Sequence, residues 1–243
     1  TWTPDAAALD ALATADLIIL NGANLEPWSQ RVSLPIVRTL EVARNFKDQW
    51  IRYPAVVTHS HGPEGERSYE GSDGHTWIDP ELLRLSAVSI RDRLVRLLPQ
   101  HRKSLEDRWQ QVDAVLSSLA IKISSISTET SVLVLESGPH WGYPAARAGW
   151  SLKRIDLDPT GTFDPSLADT LSTLINKSSI RLLLWASTPS VDLATALSEQ
   201  LQIESVVWPL GFSLGDNYSR YPEIQAMALG RLAEAYSKAA GRP

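Results

Sequence analysis

The sequence predicts an α/β chain of two lobes with mainly parallel sheets, joined by one long helix. Short apolar runs alternate with stretches of helical period on both sides of the chain's middle. The middle itself is a long amphipathic segment with no strand signal. A length of 243 residues, 43% hydrophobic and 21% charged, suits two lobes of ordinary size with a substantial core. The expected boundaries are an N-terminal α/β lobe over 1–98, a connecting helix over 99–126 and a C-terminal α/β lobe over 127–243.

The elements follow in order. Pro4 suits a first helical turn, and Leu9, Leu12 and Ala13 form the inward stripe of a helix reaching Ala15. Leu17–Leu20 is wholly apolar and stops at Asn21-Gly22, which predicts a strand buried on both faces. A helix is expected around Ser33–Ala43 and a second strand at Ala55–Val57. Residues 58–74 are polar, Gly-rich and aperiodic, so they read as a long loop. Leu83, Ala87, Ile90, Leu94 and Leu97 mark a helix closed by Pro99. Leu105, Trp109, Val112, Leu116, Leu119 and Ile123 mark another, about 35 Å long at 1.5 Å per residue. Beyond it, strands are expected at Val132–Leu135, Ile180–Trp185 and Ile203–Trp208. Helices are expected at Tyr143–Ala148, Pro165–Asn176, Val191–Gln200 and Pro222–Ala240.

Composition narrows the function. A net charge of −5 opposes nucleic acid as a partner, because phosphate binding needs a concentrated basic field. Arg91, Arg93, Arg96, Arg102 and Lys103 are interleaved with Asp92, Glu106 and Asp107, the pattern of a solvated helix face. The absence of cysteine excludes disulfides and thiolate metal sites. No apolar run approaches the roughly 18–20 residues of a membrane span. No signal peptide is visible and the chain opens on Thr1, which leads us to expect a processed or trimmed product.

Five blocks carry a resemblance: ALATADLIILNGANLEPW (11–28), HTWIDPELLRLSA (75–87), SGPHWGYPAARAGW (137–150), LLLWASTP (182–189) and VVWPLG (206–211). In this order they resemble the metal-ion (zinc/manganese) substrate-binding proteins of ABC transporters. That resemblance implies a metal-type periplasmic-binding-protein fold, a site between the lobes at strand ends, and binding without catalysis. It also implies an extracytoplasmic monomer that hands Zn²⁺ or Mn²⁺ to an ABC permease, reaching the membrane only through that permease or a lipid anchor. Lobe movement in the family is small, because the connecting helix is stiff.

A first-row divalent metal needs about four N or O donors converging at roughly 2.0–2.2 Å. By the resemblance the first histidine would fall just before Thr1, so the N-terminal lobe is expected to be incomplete. The second matches His75, two residues before Trp77. It also reads as a loop-end residue at the helix start, although Asp79 is the better cap. The third falls on Gly138, and His140 lies two residues on, read as a partly exposed turn residue beside Trp141. The two carboxylates fall on Ala186 and Trp208. Gly138, Ala186 and Trp208 offer a metal nothing, so the expected site is degenerate and zinc or manganese binding weak or absent.

His59 and His61 stand in a loop resembling a short form of the family's His-rich segment, with Glu64, Glu66, Glu70 and Asp73 as further donors. A solvated loop with idle histidines is the other reading. Ser137 lacks the G-x-S-x-G turn of a nucleophile, and Asp156 and Asp158 read as turn chemistry. Two hypotheses remain. One is a metal receptor built on His75, with or without help from His59 and His61. The other is a metal-independent relative binding another small ligand or a protein. Trp77, Trp141, Trp185 and Trp208 favour the second if they line the cleft.

Overall fold

The computed structural model of the chain describes residues 2–53, 57–60, 66–69, 71–126, 132–175, 180–211 and 221–240. The chain divides into two compact units. The first comprises Thr1–Val56 and Tyr69–Ser117, the second Val57–Ser68 and Ser118–Pro243.

The first unit begins with helix α1 (Ala6–Thr14), capped by Asp5, whose carboxylate accepts the Ala8 N–H at 2.8 Å. Its expected inward stripe is not buried, and Leu9 is 41% exposed. Strand β1 (Ile18–Leu20) pairs in parallel with β2 (Thr39–Glu41). Ile18 and Leu20 face the core while Ile19 is 46% exposed. β1 is therefore covered on one face, and the wholly apolar run concealed an ordinary period-2 strand. The helix expected over Ser33–Ala43 does not form. A 3₁₀ turn at Ile36–Arg38, β2 and a 3₁₀ segment at Val42–Gln49 stand there instead. β-Branched Ile36, Val37 and Thr39 in close succession weaken helix propensity, and Pro35 favours an extended entry.

Helix α2 (Pro80–Leu97) packs on the Val42–Gln49 segment, where Asn45 Nδ2 donates to Ser89 Oγ at 2.7 Å. Asp79 caps it, accepting the Glu81 and Leu82 N–H groups. The deeply buried stripe is Leu82, Ser86, Ser89 and Val95, one position off the expected one, and Leu97 is 42% exposed. Helix α3 (Arg102–Ser125) buries Leu116, Leu119 and Ile123 as expected, while Val112 stays exposed. The division between the units falls inside α3. Arg84 joins α2 to α3 by pairing with Glu81 and Asp113, and Arg91 lies 5.0 Å over the Trp109 ring. Lys103–Asp107 and Arg102–Glu106 pair along the exposed face, so the basic stretch is a solvated helix surface.

In the second unit, β5 (Val132–Glu136), β6 (Ser151–Arg154), β7 (Ile180–Trp185) and β8 (Glu204–Val207) form one fully parallel sheet, ordered β6-β5-β7-β8. Helices α4 (Gly142–Ala148), α5 (Pro165–Ile175), α6 (Val191–Leu201) and α7 (Tyr221–Ala240) follow the strands in turn. Leu133, Leu135, Leu171, Leu183, Trp185, Leu193, Leu197 and Ile203 are among its core. β6 was not anticipated: SLKR is polar, and its alternating half-exposure marks an edge strand. Within 58–74, read as a loop, β3 (Val57–Ser60) pairs with β4 (Glu66–Tyr69). Two residues of the strand expected at Ala55–Val57 lie outside the described residues.

Candidate functional site

In the first unit the candidate chemistry sits on the turn that leads into α2. His75 follows Gly74 and immediately precedes a 3₁₀ turn, Thr76–Ile78. Its side chain is fully buried, and Nδ1 lies 2.7 Å from Asp73 Oδ1. The same oxygen accepts the His75 backbone N–H at 2.9 Å. A carboxylate oxygen at this distance favours the tautomer with the proton on Nδ1. This carboxylate–imidazole arrangement also stands behind metal-ligating histidines, where it fixes the tautomer and raises basicity. Trp77 is half-buried, its ring 5.3 Å from that of His75. Asp79, not His75, caps α2, as the sequence indicated.

Asp73 was expected as a further oxygen donor beside His59 and His61, or as part of a solvated loop. It is 1% exposed and serves His75. His61, Glu64 and Glu70 lie outside the described residues, and His59 and Glu66 are placed only as strand residues of β3 and β4.

Opposite this turn stands the sequence Asn21-Gly22-Ala23-Asn24. Gly22, Ala23 and Asn24 all have positive φ, at 78°, 51° and 66°. Two consecutive non-glycine residues in the left-handed region are uncommon, and such strain persists only where the surroundings hold it. Glu26 holds it here. Its carboxylate accepts the Asn21 N–H at 2.7 Å and the Gly22 N–H at 3.0 Å. Burial pushes the Glu26 carboxyl above its usual range, and these two bonds oppose that rise only in part.

In the second unit, the carboxyl ends of the strands carry the other candidates. The chain leaves β5 toward β6 on one side and returns to β7 on the other, so a topological switch point lies between β5 and β7. Gly138 and His140 follow β5, Ala186 directly follows β7 and Trp208 directly follows β8. The Trp208 N–H donates to the Trp185 carbonyl at 2.8 Å, which sets these two strand ends side by side. These residues all follow the carboxyl ends of the strands.

Their chemistry is not that of a metal donor set. Gly138 and Ala186 have nothing to donate. Trp208 is fully buried, its indole N–H bonded to Gln225 Oε1 at 2.8 Å. Trp185 is buried in the sheet's core, with Nε1 donating to Ser205 Oγ at 3.1 Å. Trp141 is fully buried. His140 is 1% exposed, which corrects the expected half-exposed turn residue; its ring meets Trp141 edge-on at 5.3 Å. Sequence reasoning missed Glu136, the last residue of β5. It is buried, accepts the His140 and Trp141 N–H groups at 3.3 Å, and faces Arg154 Nε at 3.6 Å. Among the described residues, no three of His, Asp and Glu gather in a way that holds a metal ion.

Several solved structures share this fold. The chain is similar to the metal-dependent lipoprotein YcdH from Bacillus subtilis, with a TM-score of 0.76 at 17% identity, over 96% of this chain and 85% of that one. It is similar to the Zn(II)-bound ZnuA-like domain of AdcA from Streptococcus pneumoniae, at 0.74 and 18%, over 97% and 85%. FpvC from Pseudomonas aeruginosa in complex with Mn²⁺ matches at 0.68 and 16%, over 98% and 86%. At such identities the likeness shows the fold alone. A family model reaches further. It spans residues 1–235 continuously, from α1 through the His75 turn and the switch point into α7, and so the chain belongs to the family described as zinc-uptake complex component A, periplasmic.

Proposed function

We propose that the chain is an extracytoplasmic solute-binding component associated with ABC-type uptake of a divalent metal, zinc or manganese, whose metal site is depleted. Family membership supports the transport role, which is binding without catalysis. The observation that carries the reading is the His75–Asp73 pair. An imidazole with a carboxylate 2.7 Å from its Nδ1 has the support that metal-ligating histidines carry. The depletion follows from Gly138, Ala186 and Trp208, which stand where the family places its remaining donors. A single imidazole with this support binds Zn²⁺ or Mn²⁺ weakly, and His59 and His61 would add only loose capture. The partner is an ABC permease, and the chain acts as a monomer.

The test is a thermal-unfolding series with Zn²⁺ and with Mn²⁺, beside elemental analysis of the purified protein. Specific binding raises the melting temperature with metal concentration, and His75→Ala removes the rise. A rise of equal size in His75→Ala would overturn the assignment.

A second reading is a metal-independent relative that binds another small ligand or a protein partner. What favours its metal independence is Trp208, which supplies no metal donor; fully buried with its N–H committed to Gln225, it is a core residue and not the cleft lining expected of it. No response of the melting temperature to any divalent metal would leave this reading standing.

A further inference from the structure

We propose that Asn21 and Glu26 are positioning residues for His75, and that the strained Asn21–Asn24 turn exists to hold the imidazole in register. The inference rests on the reading of His75 as the surviving donor. Three observations within the first unit carry it.

The first is the hydrogen bonding of Asn21, whose side chain grips both neighbours of His75. Its Nδ2 donates to the Gly74 carbonyl at 2.9 Å, and its Oδ1 accepts the Thr76 hydroxyl at 2.9 Å. A single planar amide thus clamps the residue before the histidine and the residue after it. Nδ2 also donates to the Gly22 carbonyl at 2.9 Å, which ties the clamp to its own turn. With the flanking residues held, and Asp73 taking the ring and the backbone N–H, the histidine has little freedom of orientation.

The second is steric. A Cβ on Gly74 would stand 3.0 Å from Leu25 Cβ and 3.1 Å from Leu25 Cα, and one on Gly71 would stand 2.6 Å from Asn24 Nδ2. The two loops therefore approach closely at Gly74, beside His75, and the Asn24 side chain reaches Gly71 on the other side of Asp73. Ser72 Oγ adds a bond to the Ala23 carbonyl at 3.1 Å.

The third is the strain itself. Three successive residues have positive φ, two of them not glycine, and a conformation of this kind persists only where its surroundings hold it. What the conformation achieves is to aim the Asn21 amide across the gap. Glu26 keeps it there through the Asn21 and Gly22 N–H groups. The outlier thus points to a function, and the contacts of Asn21 say which one.

The test reads the ring directly. The chain has five histidines, so long-range ¹H–¹⁵N spectra of the full chain resolve the imidazoles, and His75→Ala assigns the signal. The wild-type ring is expected in the Nδ1–H tautomer. Asn21→Ala mixes the tautomers and lowers zinc affinity, measured by competition with a chromogenic chelator, about ten- to a hundredfold. Asn45→Ala, which removes a comparable bond to Ser89 in the same unit, leaves both unchanged. If Asn21→Ala does not fold, Asn21→Asp carries the test, because it keeps the acceptor for Thr76 and loses the donation to Gly74. A folded Asn21 variant with the wild-type ring pattern overturns the proposal. Absence of zinc binding in the wild type would instead sink the metal reading, and the ring pattern alone would then decide whether Asn21 positions His75.

Discussion

Asp73 Oδ1 accepts from both the ring and the backbone of His75, at 2.7 and 2.9 Å, and both residues are buried. Two donors converging on one oxygen separate a structural from a chemical contribution of the carboxylate. Asp73→Ala removes the acceptor and leaves two buried N–H groups to find another, at a cost of about 1–3 kcal/mol for a group left unsatisfied. Asp73→Asn keeps an oxygen in place and discards the charge. Chemical denaturation should show a large loss for the alanine variant and a small one for asparagine. Zinc affinity should fall in both, since a neutral amide no longer raises the basicity of the imidazole. Equal stability losses in the two variants would contradict this division.

Glu26 gives the first unit a pH dependence with a definite sign. Burial, the largest influence, and then Glu41 raise its carboxyl above the ordinary 4.5, and the Asn21 and Gly22 amides pull the other way. A raised carboxyl means that the folded state binds the proton more tightly than the unfolded chain. Its stabilising contribution is therefore full below 4.5 and is lost as pH rises through the folded value. In denaturant titrations, the wild-type advantage over Glu26→Gln should shrink as pH is raised from 4.5 toward neutrality. A widening advantage would show that the two backbone bonds outweigh burial.

Gly74 is required by space, not by φ. A methyl there would press on Leu25 Cβ at 3.0 Å and on its Cα at 3.1 Å, and the Cα cannot turn aside as a flexible side chain does. Gly74→Ala should destabilise the chain by about 1–3 kcal/mol, the range for overpacking. Adding Leu25→Ala should recover only part of that loss, because the Leu25 backbone still stands in the way. Full recovery in thermal unfolding would mean that only the Leu25 side chain obstructs.

The legibility of the fold differed between the halves for a physical reason. Strands β5, β7 and β8 of the second sheet were found within a residue or two, because a parallel sheet covered on both faces leaves apolar runs bounded by turn residues. β6 escaped because an edge strand written Ser-Leu-Lys-Arg lacks that signature. Among the described residues, the sheet of the first unit is two-stranded and several 3₁₀ segments flank it, whose short hydrogen-bond patterns impose no long period. His75 was visible from its place before Trp77, whereas Asp73 was not. A polar, Gly-rich stretch reads as solvated, and nothing in its composition reveals that its last carboxylate is folded inward. Glu136 was hidden for the converse reason: one acidic residue at the end of an apolar run passes for the start of a loop.

Trp208 and Gln225 offer a test of how the carboxyl edge of the second sheet is held. Both are fully buried, and the indole N–H donates to Gln225 Oε1 at 2.8 Å, while Gln225 Nε2 has no hydrogen-bond partner among the described residues. Gln225→Leu strands the indole N–H but also removes that unpartnered amide, so its net cost should lie near about 1 kcal/mol, the low end for a buried orphan. Trp208→Phe leaves both polar atoms of Gln225 without a partner and opens a cavity, and it should cost more. The double variant Trp208→Phe/Gln225→Leu has no buried polar side-chain atom left at this point. Its loss in urea denaturation should be smaller than the sum of the single losses by about 0.5–3 kcal/mol, the coupling expected of residues in contact. Strict additivity would mean that the bond contributes nothing and that shape alone keeps Trp208 in place.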